Sequence, residues 1–407
     1  MEAKPPAPDR APGRAAVTAF PKARGTYEST PASAQRGVLK MNRERAAHYN
    51  RATVLLLIST RGAVSPAQIA KLTQLRRSTV HYVLRDLMNC GLVCQGETLE
   101  SKRVGPKETL IEMAPKAAWA AGLSLSPHGH RLCLLNAAGQ IIAQQTLHSS
   151  TPIPDFFTDF KDILGTLAQR YHLRKEAQLG LTVCLPGIVN RNTGYVLNSD
   201  SLNVRNLALG DYLQARFNCP VIVERNAICG AYAERYAGGL LGTEQFLYLL
   251  TRPEPSPEPT RRRYSFGLAI INDGEVYRGW NSAAGEFHGS LMPEGMPQEF
   301  SIAGSPAHQA AEARRFVSAL GTVIGGLVNL LDPQFFVVAG DDELWSTQNL
   351  QIAQAASSKV LTPIPNRVLT ITRSKLGLDG VVLGAALICL HQGLRERLAT
   401  AERNGWQ

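Results

Sequence analysis

The sequence predicts an α/β protein with an N-terminal winged helix-turn-helix in front of a larger body of two lobes. Three observations carry that reading. Apolar residues follow helical spacing in three short runs between Asn50 and Val93, strand-like and helix-like stretches alternate from Ala117 onward, and the positive charge is concentrated at the front.

In the front module the apolar runs are Val54, Leu55 and Ile58, then Ile69 and Leu72, then Val80, Val83, Leu84 and Leu87. Gly62 closes the first run. Ser65-Pro66-Ala67-Gln68 opens the second, with a Ser N-cap, a Pro at the first helical position and a Gln three residues after the cap. Only Thr73 to Arg76 separate the second run from the third, the spacing of a helix-turn-helix. The third run starts polar and basic, with Arg76, Arg77, Ser78 and Thr79, then His81, Tyr82 and Arg85. A recognition helix needs such residues to meet base edges and phosphates of double-stranded DNA. After Gly91 come Leu92-Val93-Cys94, a polar tip and Thr109-Leu110-Ile111, a hairpin with Lys102, Arg103 and Lys107 near its tip. A wing of this kind holds phosphate or the minor groove beside the recognition helix. A helical bundle with a merely solvated basic face is the competing reading, and the hairpin weighs against it.

The charge agrees. Residues 1–120 hold 19 Lys and Arg against 9 Asp and Glu, a net of +10 equal to that of the whole 407-residue chain, so the rest sums to zero. A basic head on a neutral body suits a nucleic-acid module joined to something else. Residues 1–44, rich in Pro, Ala, Arg and Ser, read as a disordered basic arm. Nothing approaches 18 consecutive apolar residues and no signal pattern opens the chain, so a cytoplasmic protein without membrane insertion is expected. Seven scattered cysteines with no CxxC pair read as reduced thiols.

The body opens with three strand-like runs, Ala120–Leu125, Arg131–Leu135 and Gln140–Gln145, turned by Pro127-His128-Gly129 and Asn136-Ala137-Ala138-Gly139, as in a meander. A helix over 155–169, an apolar strand from Leu179 to Leu185, a helix over 209–217, the strand Val221–Val223 and a helix over 226–236 complete the first lobe. After Gly238-Gly239 the alternation repeats. Strands at Phe246–Leu250 and Phe266–Ile271, a long helix over 307–331, the strand Phe335–Ala339 and a closing helix over 381–394 make the second. The domains are therefore an arm (1–44), a winged helix-turn-helix (45–115), lobe 1 (116–238), lobe 2 (239–394, its last helix returning to lobe 1) and a tail (395–407). Two such lobes leave a cleft between them, the usual place for a small ligand.

This order resembles the ROK family of repressors, open reading frames and sugar kinases. The resemblance rests on Leu185-Pro186-Gly187 followed by Gly194, and on Val223-Glu224 with Ala227 and Ala233-Glu234. It continues through Gly274-Glu275-Val276-Tyr277-Arg278-Gly279, Ala284-Gly285-Glu286, Asn329-Leu330-Leu331-Asp332-Pro333 and Gly384-Ala385-Ala386. It covers residues 50–394 and implies an actin-like, ribonuclease-H-type pair of lobes. Family members with a winged helix in front are sugar-responsive regulators, mostly repressors; members without it are kinases.

The kinase apparatus of that family is not matched. Its first phosphate turn, D-x-G-x-T, falls at Ser124-Leu125-Ser126, without the acid or the glycine. Its second, glycine-rich turn falls on the Pro-rich, charged stretch 251–263, expected as a stiff loop. Its catalytic Asp falls at Asn226, and an amide is no general base. Its zinc set of one His and three Cys is absent, with Gly-His reversed at His288-Gly289 and no cysteine between Cys229 and Cys389. No catalytic residue, metal or cofactor is therefore assigned.

The resemblance places Gly187, Arg225, Asn226, Glu286 and His288 around a sugar or sugar-phosphate effector. Glu286 would accept hydrogen bonds from sugar hydroxyls, and Asn226 could still bind one. Arg225 either favours an anionic ligand or pairs with a nearby carboxylate. The expected function is a repressor of carbohydrate transport or catabolism genes, working as a homodimer or homotetramer, because a helix-turn-helix reads paired half-sites. A sugar kinase with a vestigial head, or a body serving assembly alone, are the alternatives.

Overall fold

The head begins with helix α1 (Ala32–Arg61), followed by α2 (Pro66–Thr73) and α3 (Arg77–Asn89). The structure, a computed structural model, describes residues 32–99, 108–254, 256, 258, 261–286, 300–303, 305–365 and 367–403. The capping box read from the sequence starts α2: the Ser65 hydroxyl accepts from Gln68 N–H (3.3 Å), and the Gln68 side chain accepts from Ser65 N–H (3.1 Å). Gln74, at φ 57°, ends α2 in the left-handed conformation and turns the chain into α3. Val54, Leu55, Ile58, Ile69, Val80, Val83, Leu84 and Leu87 share one buried core. The Arg51–Asp86 ion pair (2.7 Å) fastens α1 to α3. The antiparallel wing strands β1 (Val93–Leu99) and β2 (Glu108–Met113) pair Val93 with Met113, and Val64 bridges Ile111 to tie the wing to the α1–α2 turn. Helix α1 starts inside the stretch expected as a disordered arm. From Ala32 to Ala47 the chain has no proline and is rich in Ala, Arg, Leu, Lys, Gln and Met, all strong helix formers.

Lobe 1 is built on β3 (Trp119–Ser124), β4 (His130–Asn136), β5 (Ile141–Leu147), α4 (Phe156–Arg170) and β6 (Gln178–Leu185). Then come β7 (Ile188–Asn190), β8 (Tyr195–Ser199), β9 (Val204–Leu207), α5 (Leu209–Arg216), β10 (Val221–Arg225) and α6 (Asn226–Tyr236). The main sheet runs β10-β6-β3-β4-β5, with the meander β3–β5 antiparallel and β6 and β10 parallel to β3. Phe156, Phe157 and Phe160 of α4 cover one face of that sheet. Strands β7, β8 and β9 form a separate small sheet.

Lobe 2 comprises β11 (Phe246–Glu254), β12 (Arg261–Asn272), β13 (Glu275–Tyr277), β14 (Phe300–Ala303) and α7 (Pro306–Leu331). It continues with β15 (Phe335–Ala339), α8 (Thr347–Val360), β16 (Thr370–Arg373) and α9 (Asp379–Arg403). Its sheet runs β13-β12-β11-β15-β16, with β14 on β12. Within the stretch 251–263, expected as a loop, residues 251–254 and 261–263 are strand: Thr251 pairs with Phe266, Pro253 with Tyr264 and Glu254 with Arg263. Proline is tolerated there because β15 pairs β11 only as far as Leu250, leaving Pro253 on a free edge. By length and composition α7 could cross a membrane over His308–Leu331. It instead buries Phe316, Val317, Leu320, Ile324 and Val328 in the core of lobe 2.

Helix α9 ties the parts together. It runs to Arg403, past the end expected at Leu394, so most of the expected tail is helix. Its crossing with α6 and β3 is close enough to require glycine. A Cβ on Gly384 would collide with the Cys229 carbonyl oxygen of α6, and one on Gly122 with the Ala386 backbone. Leu387, Leu390, Leu394 and Leu398 on the same helix join the core of the head. A further core, including Cys184, Ile228, Phe246, Tyr248, Val337 and Ala385, spans the two lobes.

Candidate DNA-reading face and interlobe site

Helix α3 sorts its side chains by face. Val80, Val83, Leu84 and Leu87 are buried, whereas Arg76, Arg77, Ser78, His81, Tyr82 and Arg85 are exposed and Thr79 half-buried. Residues 78, 81, 82 and 85 follow the three-and-four spacing that lines up one helix face. Tyr82 is 57% exposed, and the Arg85 guanidinium lies over its ring (5.1 Å to the centroid) while His81 meets its edge (6.2 Å). The helix has no side-chain cap at Arg76, so its first backbone N–H groups stay open beside two arginines. Lys102, Arg103 and Lys107 of the wing lie outside the described residues.

The residues expected around an effector behave differently. Strand β10 ends at Arg225, the N-cap of α6, and Asn226 begins that helix. The Arg225 side chain, 3% exposed, donates to the Ala284 carbonyl oxygen (2.6 Å) and pairs with Glu286. Two expected effector ligands therefore satisfy one another, and a guanidinium neutralised in this way gives no special preference for an anion. The carboxylate partner weighed in the sequence reading is Glu286 itself. Asn226 is buried, its side-chain oxygen accepting from the Ala227 N–H (2.8 Å). Gly187, at φ 121°, is required by packing: a Cβ there would collide with the Asn198 carbonyl oxygen of β8. His288 lies outside the described residues.

Where the resemblance puts the phosphate turns, a cavity of about 200 Å³ is lined by Ser124, Ser126, His128, Arg131, Arg252 and Pro253, among others. His128 Nε2 hydrogen-bonds the Pro253 carbonyl oxygen (3.0 Å), so the two turn positions touch through one side chain and the backbone. Arg131 pairs with Asp379. Burial drives the Arg252 guanidinium below its usual pKa and pushes His130 down to about 4, keeping its ring neutral where Nδ1 accepts from Ser126 N–H (3.3 Å). Among the described residues no group of three His, Cys, Asp or Glu could hold a metal ion.

Sequence reasoning missed a second polar cluster. Glu224, 1% exposed, receives Arg278 (2.6 Å) and Arg191 (3.4 Å), and also accepts from the Arg225 N–H (2.9 Å). Strand alternation gave the only signal, since Glu224 and Arg225 must face opposite sides of β10.

Residues 121–298 match the ROK family model, and residues 52–97 match the IclR helix-turn-helix domain. The chain carries a ROK family domain behind an IclR-type helix-turn-helix. The ROK body has the actin-like fold. A crystal structure of a ROK family transcriptional regulator, homolog of the E. coli MLC protein, superposes with a TM-score of 0.69 at 18% identity, over 87% of this chain and 99% of that one. The ROK hexokinase of Thermus thermophilus superposes with a TM-score of 0.53 at 18% identity, over 66% of this chain and 97% of its own. In sequence the chain is 25% identical over 238 residues to the xylose repressor of Bacillus spizizenii, covering 58% of this chain and 59% of the repressor. It is 25% identical over 250 residues to the N-acetylglucosamine repressor of Escherichia coli O157:H7, covering 60% of this chain and 58% of the repressor. The chain thus matches somewhat more than half the length of these relatives.

Proposed function

We propose that this ROK protein is a DNA-binding transcriptional regulator, a repressor of carbohydrate transport or catabolism genes, whose body senses a sugar and transfers no phosphate. The observation that carries the reading is the exposed face of α3, where arginines, a serine, a histidine and a tyrosine stand over a fully apolar inner face. Arg76, Arg77, Ser78, Thr79, His81, Tyr82 and Arg85 are the proposed DNA contacts, with Lys102, Arg103 and Lys107 in the wing. The names of the relatives, xylose repressor and N-acetylglucosamine repressor, support the gene class. Asn226 in place of a catalytic carboxylate, with an arginine-lined pocket where glycine-rich turns would cradle phosphate, supports a body without turnover.

In this reading a sugar hydroxyl meets Glu286, the partly exposed member of the Arg225–Glu286 pair. The body signals through α9, whose leucines share a core with α1 of the head. A ligand that prefers one lobe arrangement shifts the population towards it and so alters the presentation of α3. The working unit is a homodimer on two half-sites. Recovery of bound DNA from cells expressing the chain tests the reading. Enrichment beside sugar transport or catabolism genes is expected, and enrichment nowhere would overturn it.

A further inference from the structure

A cavity of about 240 Å³ lies between α6, α9 and the β12–β13 turn, on the Glu224 side of β10. Its wall carries four guanidinium groups, from Arg191, Arg235, Arg278 and Arg395, with Gln392 beside them and Glu275 at its edge. Arg191 and Arg278 share the buried Glu224. Neither Arg235 nor Arg395 has a carboxylate partner among the described residues. The Nε groups of Arg235 and Arg278 are shut off from solvent and have no acceptor among the described residues. A buried N–H without an acceptor is costly, and a charged one more so. Burial, with Arg278 beside it, also lowers the Arg191 pKa against the pull of Glu224. The guanidinium groups that line the cavity suit an anion with several acceptor oxygens, which their planar forks grip in pairs.

We propose that this pocket binds a phosphate group, as a small phosphate ester or as free phosphate, at a site separate from the sugar-facing Arg225–Glu286 pair. The volume falls just under the roughly 300–1,000 Å³ of drug-sized pockets, so the occupant is small. A concave site of that size does not admit a duplex backbone, so the DNA strand is not the ligand. The position gives the site a use. Arg395 and His391 line this cavity and also a crevice against Ala52, Leu55, Leu56 and Ser59 of α1 in the head. An anion drawn onto Arg395 therefore pulls on the helix turn that supports the reading head. Only this coupling rests on the proposed DNA-binding function; the binding does not.

Calorimetric titration of the DNA-free full chain with inorganic phosphate, glucose 6-phosphate and glucose tests the site. Both phosphates are expected to bind, the stronger one naming the source. Arg235→Gln and Arg395→Gln should each weaken phosphate binding about tenfold, the scale of one lost charged hydrogen bond. Arg395 is exposed, so that variant keeps its fold even if Arg235→Gln does not. The site is refuted if neither phosphate binds at millimolar concentration, or if Arg395→Gln binds as wild type. Phosphate binding that leaves the affinity for recovered DNA unchanged would keep the site and remove the coupling.

Discussion

His391 is the residue at which head, body and arginine pocket meet. It is 3% exposed, its Nδ1 hydrogen-bonds the Tyr232 hydroxyl (2.8 Å), and burial, aided by Arg395, pushes its pKa down to about 3. The folded chain therefore keeps this imidazole neutral through a range in which the unfolded chain protonates it, from about 6.5 downward. Proton uptake by the unfolded state alone means that stability is complete above pH 6.5 and is lost as pH falls towards 3. His130, lowered to about 4, acts with the same sign. The expected result is a melting temperature that drops between pH 7 and about 4.5, and drops less in His391→Gln, with His130 accounting for the remainder. Equal drops would show that His391 is not held neutral. Little at this scale could be read from sequence. The Arg225–Glu286 pair joins residues 61 apart, and Glu224 faces away from Arg225 into a cluster completed by Arg191 and Arg278. Side chains that meet from distant segments of the chain leave no local pattern.

Elements were far more legible. The Ser65 capping box, the apolar runs of the head, the meander and the long α7 all follow from short-range rules of period and capping. Several strands escaped. Strands β7–β9 are too short to show a period, and the 251–263 hairpin hides behind prolines that a free edge tolerates. Glycine spacing in helices is another signal whose meaning needs the structure. Gly384 sits where α9 crosses α6 with no room for a Cβ, whereas a Cβ on Gly326 of α7 meets nothing within 4 Å. Gly384→Ala should separate the two helices and cost several kcal/mol, of order 3 or more, as overpacking against backbone does. Gly326→Ala should instead stabilise by about 0.5–1 kcal/mol by removing freedom from the unfolded chain. Chemical denaturation of both variants measures the contrast. Equal effects would mean that the α6–α9 contact is looser than described.

At the scale of the molecule, the sequence showed a charged front and a neutral rear, but not how one is fastened to the other. The structure supplies that link. Leu387, Leu390, Leu394 and Leu398 of α9 share a core with Val54, Leu55 and Ile58 of α1, while the other faces of α9 pack on α6 and the lobe 1 sheet. The helix that closes the body is thus part of the foundation of the head, the packed route by which the proposed movement between the lobes would reach α3. Such a route carries coupling only if it biases two discrete arrangements. The claim beneath it, that the exposed face of α3 grips DNA, is tested by fluorescence anisotropy of the full chain on duplexes recovered from its own genome, over a series of salt concentrations. The logarithm of affinity should fall linearly with the logarithm of salt, and Arg77→Ala and Arg85→Ala should each weaken binding by about 1–3 kcal/mol or flatten the slope by about one. Binding indifferent to salt, or untouched by both substitutions, would contradict the account.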